Sequence, residues 1–347
     1  MKRDRPLVEL TRVRILEFVR EPEAVFWVFV FPVLLAVALG VAFRNQPAGS
    51  IPVAVVAGER TAPRALAALA ESPSLEVRTL DAAAAREALR RGRVDVVVDL
   101  SEPPVVGYAY DETRPEGRAA RLAVNDAVQR ALGREDPAPV RDEGVPARGA
   151  RYIDFLIPGL VGLNLMGSGL WGIGFSVVVA RTRKLLKRFA ATPMRRPDFL
   201  LSYGLSRLVF LIPEVLAVIG AGWLIFAVQV RGSWLALTVV AVLGAVAFGG
   251  IGLLVAARPR TTESVSGWMN LVMLPMWLLS GTFFSYERFP SVIHPAIQAL
   301  PLTALNDALR AVMNDGAGLP AVWPEALVML GWGTVSFVLA VRLFRWQ

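Results

Sequence analysis

Glu214 is the residue whose type and position could do chemistry. It is the only carboxylate deep in any long apolar stretch of this chain. It follows Pro213, and Arg207 lies seven residues earlier on the same face of an expected helix. A carboxylate in an apolar span is expensive, so the residue could gate the interior or hold a polar part of a passing molecule. Two turns separate it from Arg207, about 10 Å along the axis, and direct pairing is expected to need another helix. Pro213 also frees a backbone carbonyl one turn earlier, which a local donor must satisfy. Asn164 and Asn270 sit in neighbouring apolar stretches and are read with Glu214 as a substrate path; such amides also join helices by hydrogen bonds.

Bond-breaking chemistry has little to stand on. The chain has no G-x-x-x-x-G-K-[ST] loop for nucleotide phosphates, no H-E-x-x-H, no G-x-S-x-G and no paired aspartates. It has no cysteine and one histidine, His294, which excludes disulfides, thiolate sites and histidine clusters. We therefore expect no enzyme, no metal and no cofactor in this chain. Any pumping energy must come from a partner or an ion gradient.

The elements that must position these residues are apolar blocks. Of 347 residues, 54% are hydrophobic, and they concentrate in Ala24–Phe43, Phe155–Ala180, Phe199–Val228, Trp234–Ala257, Val265–Phe284 and Val322–Phe344. Twenty residues at about 1.5 Å each cross about 30 Å of hydrocarbon. The expected fold is a membrane all-α protein with six transmembrane helices, the first an uncleaved anchor. Residues 1–23 are expected as a cytoplasmic interfacial helix, because Leu7–Glu21 has no breaker and a broad apolar face beside Arg12, Arg14 and Arg20. Residues 24–43 are the first span, 44–150 a separate extracytoplasmic domain, and 151–347 the other five spans. Within the last, 286–319 is cut by Pro290, Pro295, Pro301 and Pro320 into pieces too short to span. Glycine-rich faces (Gly167, Gly169, Gly172 and Gly174; Gly244 through Gly252) indicate close helix packing.

The insert alternates as β-α-β-α-β-β-α, a small α/β domain. Its strands are Ile51–Ala57, Leu75–Leu80, Val94–Leu100 and Val105–Tyr110. Helices follow from 61 or 62 to Glu71, over Ala82–Arg91 behind an Asp81 N-cap, and over Pro115–Leu132, ending at Gly133.

Charge sets the orientation. Residues 1–23 carry six Lys and Arg, and residues 181–196 carry seven (Arg181, Arg183, Lys184, Lys187, Arg188, Arg195 and Arg196). The insert 44–151 holds sixteen basic and sixteen acidic residues. The positive-inside rule then places both termini in the cytoplasm of a bacterial inner membrane, with the net charge of +8 facing anionic lipid or a protein partner rather than nucleic acid. The run Arg181–Ala190 is expected as a basic helix continuing the second span, broken at Thr192-Pro193. Such a projection could receive a push from a soluble motor.

Four stretches resemble the permease subunit of type-2 ATP-binding-cassette exporters: Arg20–Leu35, Asp111–Gln129, Arg181–Phe199 and Leu274–Leu319. The last is the most specific, with P-x-x-x-x-S-G-x-F-F, a Pro pair, P-L-T and A-L-R. One departure is Lys184-Leu185-Leu186, where many members carry an acidic residue before Gly-Thr. The resemblance implies a dimer, with itself or a sister permease, above two ATPase subunits that hold ATP and Mg2+. Arg12, Arg14 and the 181–196 cations would meet the ATPases. Residues 286–319 would dip into the outer leaflet, with Phe283, Phe284, Pro290, His294 and Pro301 at an outer gate. Two other readings remain: a sensor whose outer domain binds a ligand, and a gradient-driven transporter, which would want paired intramembrane acids and internal repeats.

Overall fold

The structure is a computed structural model that describes residues 6–43, 51–58, 63–101, 105–135, 138, 151–185 and 196–343. The chain divides into two compact units, one of residues 45–145 and one of 1–44 with 146–347.

In the smaller unit, β1 (Ile51–Val56), α3 (Pro63–Glu71), β2 (Leu75–Thr79), α4 (Ala82–Arg90), β3 (Val96–Asp99), β4 (Gly107–Tyr110) and α5 (Pro115–Ala131) follow in the order that the alternation predicts. The sheet order is β2-β1-β3-β4, with β1 parallel to β2 and β3, and β4 antiparallel to β3. Side chains alternate across a strand, so both sheet faces can be covered. Val53, Val55, Val96 and Val98 face α3 and α5; Ala54, Val56 and Val97 face Ala85 of α4. Asp81 caps α4 by accepting from Ala84 N at 2.7 Å.

The larger unit is helical. Helix α1 spans Pro6–Val19, and α2 spans Pro22–Ala42 with a π-helical stretch at Phe26–Val30. Helix α6 spans Tyr152–Thr182 with a second π stretch at Leu170–Phe175. Helices α7 (Arg196–Phe226), α8 (Trp234–Ala256), α9 (Thr262–Leu279), α10 (His294–Gln298), α11 (Pro301–Met313) and α12 (Trp323–Leu343) complete it. Ser233 and Thr261 cap α8 and α9 with their hydroxyls. Helices α6 and α8 form the buried centre, whereas α2 and α12 bury the smallest shares of their apolar spans. Backbones meet closely between α6 and α8: a Cβ on Gly252 would stand 2.7 Å from Gly169 O.

Two expectations are met in part. Among the described residues, five of the six expected spans are helices long and apolar enough to cross a membrane. The stretch expected to span over Val265–Phe284 forms α9, which ends at Leu279 because Gly281 turns the chain at φ +68°. Second, the helix of the second span does not continue to Ala190. It stops at Thr182, and Lys184 takes a left-handed φ of +58°. Residues 186–195, including the Thr192-Pro193 break, lie outside the described residues.

Candidate functional site: a cavity beside a buried ion pair

Arg207 and Glu214 pair directly, without another helix supplying either partner. The guanidinium Nη2 donates to Glu214 Oε2 and to Ser168 Oγ of α6. Seven residues place both side chains on one face, and the Cα–Cβ bond of Glu214 tilts toward Arg207. The Arg stem then extends along the helix and closes the axial gap that backbone rise alone suggested. Only 7% and 1% of these side chains are exposed. Among the described residues, Arg207 Nε and Glu214 Oε1 have no hydrogen-bond partner. Ser168 Oγ donates its own hydrogen bond to Asn164 O at 2.7 Å.

Asn164 ties α6 to α2. Its Nδ2 donates to Val28 O at 2.9 Å. Pro32 has no N–H to give that carbonyl four residues upstream, and the amide of a neighbouring helix supplies a donor. The device recurs: Pro158 has no N–H for Asp154 O, and Asn314 Nδ2 donates there at 2.9 Å. Asn270 is different, exposed on α9 and apart from the other two residues of the expected path.

Against this polar seam lies a cavity of about 820 Å³, lined by α1, α2, α6, α7 and α9. Trp27, Phe31, Trp171, Phe210 and Trp277 supply aromatic wall; Arg14, Glu17, Glu21, Glu23 and Arg207 supply charge. Both π-helical stretches border it, through Trp27 and Val28 on α2 and Trp171, Gly172, Ile173 and Phe175 on α6. Such widened turns recur at functional sites. Gly167 and Gly172, expected to pack helices, meet no heavy atom within 4 Å of a Cβ and face this space instead.

The cations expected at a motor contact divide into groups. Arg12, Arg183 and Lys184 are exposed. Arg14 turns inward, its guanidinium 4.0 Å from the centre of the Tyr203 ring and 3.1 Å from Glu17. Arg181 donates to Ala256 O at 2.9 Å and Pro259 O at 2.7 Å, which caps the end of α8. Arg196 begins α7. Lys187, Arg188 and Arg195 lie outside the described residues.

The expected gate residues surround the turn after α9. Phe283 is half-buried, and Phe284 stacks on Phe289 at 6.0 Å. Pro290 is exposed and precedes a short 3-10 turn; Pro301 is buried at the start of α11. His294 Nε2 lies 2.9 Å from Phe289 O. The residues that hold this turn are ones the sequence did not single out. Asn306 donates to Ser280 O at 3.0 Å and Thr282 Oγ1 at 3.1 Å. Arg310 donates to Gly281 O and lies 3.7 Å from the centre of the Phe155 ring. Their signal was one amide and one cation, beside Asp307, in a helix that is otherwise mostly apolar.

The family model described as ABC-2 family transporter protein matches residues 23–342. The chain belongs to the ABC-2 transporter family. It is 28% identical over 95 residues to the inner membrane transport permease YhhJ of Escherichia coli, covering 27% of this chain and 25% of the relative. It is 26% identical over 195 residues to ABC transporter G family member 20 of Dictyostelium discoideum, covering 55% and 27%. The inner membrane transport permease YadH of E. coli is 24% identical over 202 residues, covering 57% and 75%. The chain thus spans about a quarter of the length of the first two relatives. Within the ABC-2 match fall the cavity-bearing helices α2, α6, α7 and α9; α1 and Glu21 precede it. The family assignment makes this chain an integral membrane protein of transport-permease type.

Proposed function

We propose that the chain is the permease subunit of an ATP-driven ABC-2 exporter. It moves an amphiphilic or hydrophobic substrate (a lipid, a drug or a lipid-linked glycan) outward, by a stroke from a separate ATPase subunit that binds ATP and Mg2+. The observation that carries this reading is the cavity, whose charged groups and aromatic wall suit a molecule with a polar head and an apolar body. The chain contributes no nucleotide chemistry, since it has no phosphate-binding loop.

In this reading α9 is the sixth crossing, completed by the turn that Asn306 and Arg310 hold, and the charge distribution keeps both termini in the cytoplasm. The domain of residues 44–150 lies outside. Two permeases, identical or sister, pair in the membrane through apolar faces such as those of α2 and α12. Arg12, Arg183, Lys184 and the cations of 187–196 meet the ATPase; Arg14 and Arg181 serve the permease itself. Phe283, Phe284, Pro290, His294 and Pro301 flank the outer exit.

Co-purification of the tagged chain with the ATPase encoded beside it, followed by ATP turnover, tests the proposal. A stable complex with turnover is the expected result. A chain that purifies alone, without bound ATPase, overturns it and favours the sensor or the gradient-driven transporter.

A further inference from the structure

A titratable side chain ties down the turn after α9. Tyr286, in the 3-10 turn Tyr286–Arg288, donates its hydroxyl to Asp307 Oδ2 of α11 at 3.3 Å. Asp307 Oδ1 accepts from Arg310 Nη1 at 3.5 Å, and the same guanidinium donates to Gly281 O. Tyr286 covers that glycine closely: a Cβ on Gly281 would stand 3.2 Å from its ring. The His294 ring of α10 packs edge-on against Tyr286, with centres 5.9 Å apart. Asp307 thus joins the turn to buried α11. Its side chain is 30% exposed, which leaves it within reach of protons from solvent. Glu325 of α12 faces it with like charge, and Glu325 Oε2 is buried with no hydrogen-bond partner among the described residues. Glu287 adds a further negative charge beside Tyr286. Burial pushes the Asp307 carboxyl up to about 6; Arg310 and Tyr286 oppose the shift and Glu325 adds to it.

We propose that Asp307 is a proton-operated latch on the outer exit: with a proton it keeps the Tyr286 turn seated on α11, and without one it lets the turn lift. The sign follows from hydration. Once the turn lifts, water returns the carboxyl toward its ordinary value of 3.8. The seated arrangement therefore binds the proton more tightly, and acid favours it. Above about pH 6 the carboxylate ionises under cover, opposite Glu325, and the gain from hydrating that charge favours release. Phe283 and Phe284 lie between Gly281 and Tyr286, so they move with the turn. That the proton arrives from outside rests on the orientation proposed above; the latch itself does not.

The chain has no cysteine, so a single introduced one reports on the turn. Ser280 starts the turn and is fully buried, and its Oγ has no hydrogen-bond partner among the described residues, so Ser280→Cys removes no bond seen there. The purified full-length variant in nanodiscs is reacted with a charged methanethiosulfonate from about pH 5 to about pH 8. Its rate is divided by that of Val292→Cys, 88% exposed on the neighbouring 3-10 turn, which removes the pH dependence of the thiol itself. The expected result is a relative rate that rises about tenfold across this range, as a carboxyl at about 6 when seated and 3.8 when released requires. With Asp307→Asn added, which carries no charge at either end of the range, the rate should stay low and flat. Glu325→Gln removes the facing like charge and should move the rise to lower pH; it decides the matter if Asp307→Asn does not purify as a folded protein. His294→Gln should leave the rise in place, which separates Asp307 from an imidazole, a group that ordinarily titrates in the same range. A flat profile in Ser280→Cys, a rise that persists in Asp307→Asn, an unshifted rise in Glu325→Gln, or one lost in His294→Gln overturns the proposal. Because this assay needs no ATPase, it is independent of the co-purification experiment. A complex that hydrolyses ATP around a chain with a flat profile would leave the exporter reading standing and remove the latch.

Discussion

Arg207 and Glu214 neutralise each other inside the helix that carries both, and Ser168 on α6 completes the contact. A carboxylate that looked isolated in the sequence is thus half of a buried ion pair on one wall of the cavity. Breaking one side leaves the other charge buried and uncompensated, which costs about 3–5 kcal/mol. Glu214→Ala and Arg207→Ala should each lower thermal stability in detergent strongly. Arg207→Met/Glu214→Leu should recover most of the loss, since apolar replacements remove both charges together. A double variant as unstable as the singles would show that the pair does more than cancel its own burial.

The link between Asn164 and Pro32 makes a sharper test, because the amide serves a carbonyl that the proline cannot. Asn164→Ala should cost about 0.5–1.5 kcal/mol through loss of the bond to Val28 O. With Pro32→Ala already present, the restored N–H gives that carbonyl a donor within its own helix, and the same change should cost less. A double-mutant cycle by thermal unfolding reads the coupling, and additive effects would argue against the device.

Glycines of one cluster differ in what they do. Gly252→Ala should destabilise, because its Cβ meets backbone of α6 at 2.7 Å. Gly167→Leu and Gly172→Leu should leave the unfolding midpoint nearly unchanged and suppress transport, because they fill open space beside the cavity. Unfolding midpoints measured beside substrate uptake into inverted vesicles distinguish the two classes.

The cations beyond α6 should separate in the same way. Charge reversal to Glu at Arg183, Lys184 and Lys187 together should uncouple ATP turnover from transport in reconstituted vesicles while preserving the fold. Arg181→Ala should instead lower stability, because it removes the donors to the carbonyls at the end of α8. Unchanged coupling in the triple variant would remove these residues from the motor contact.

Much of the smaller unit was legible in the sequence. Alternating valines, the Asp81 cap and the glycine at 133 specify elements locally, and each element folds where that signal lies. The apolar blocks likewise marked the long helices of the larger unit. The span expected over Val265–Phe284 is the one that differs: α9 keeps 18 residues but starts on Thr262, Glu263 and Ser264, so it is less apolar than the other five. Val265–Phe284 is apolar enough to suggest a span, but Gly281 ends α9 and the chain is then held by Asn306 and Arg310 from α11. Arg181 carried a basic-loop signal, yet its carbonyl partners come from residues 75 and more positions away.

The sequence by itself determined composition, element periodicity and the absence of a nucleotide-binding loop, because each depends on residues adjacent in the chain. The tertiary structure alone decided which polar groups meet. Asn164 finds Val28, Asn314 finds Asp154, and Gly169 packs while Gly167 stays open, because five elements from distant parts of the chain are fixed against one another. A cavity is a property of that arrangement. No periodicity along one segment encodes the space left between five.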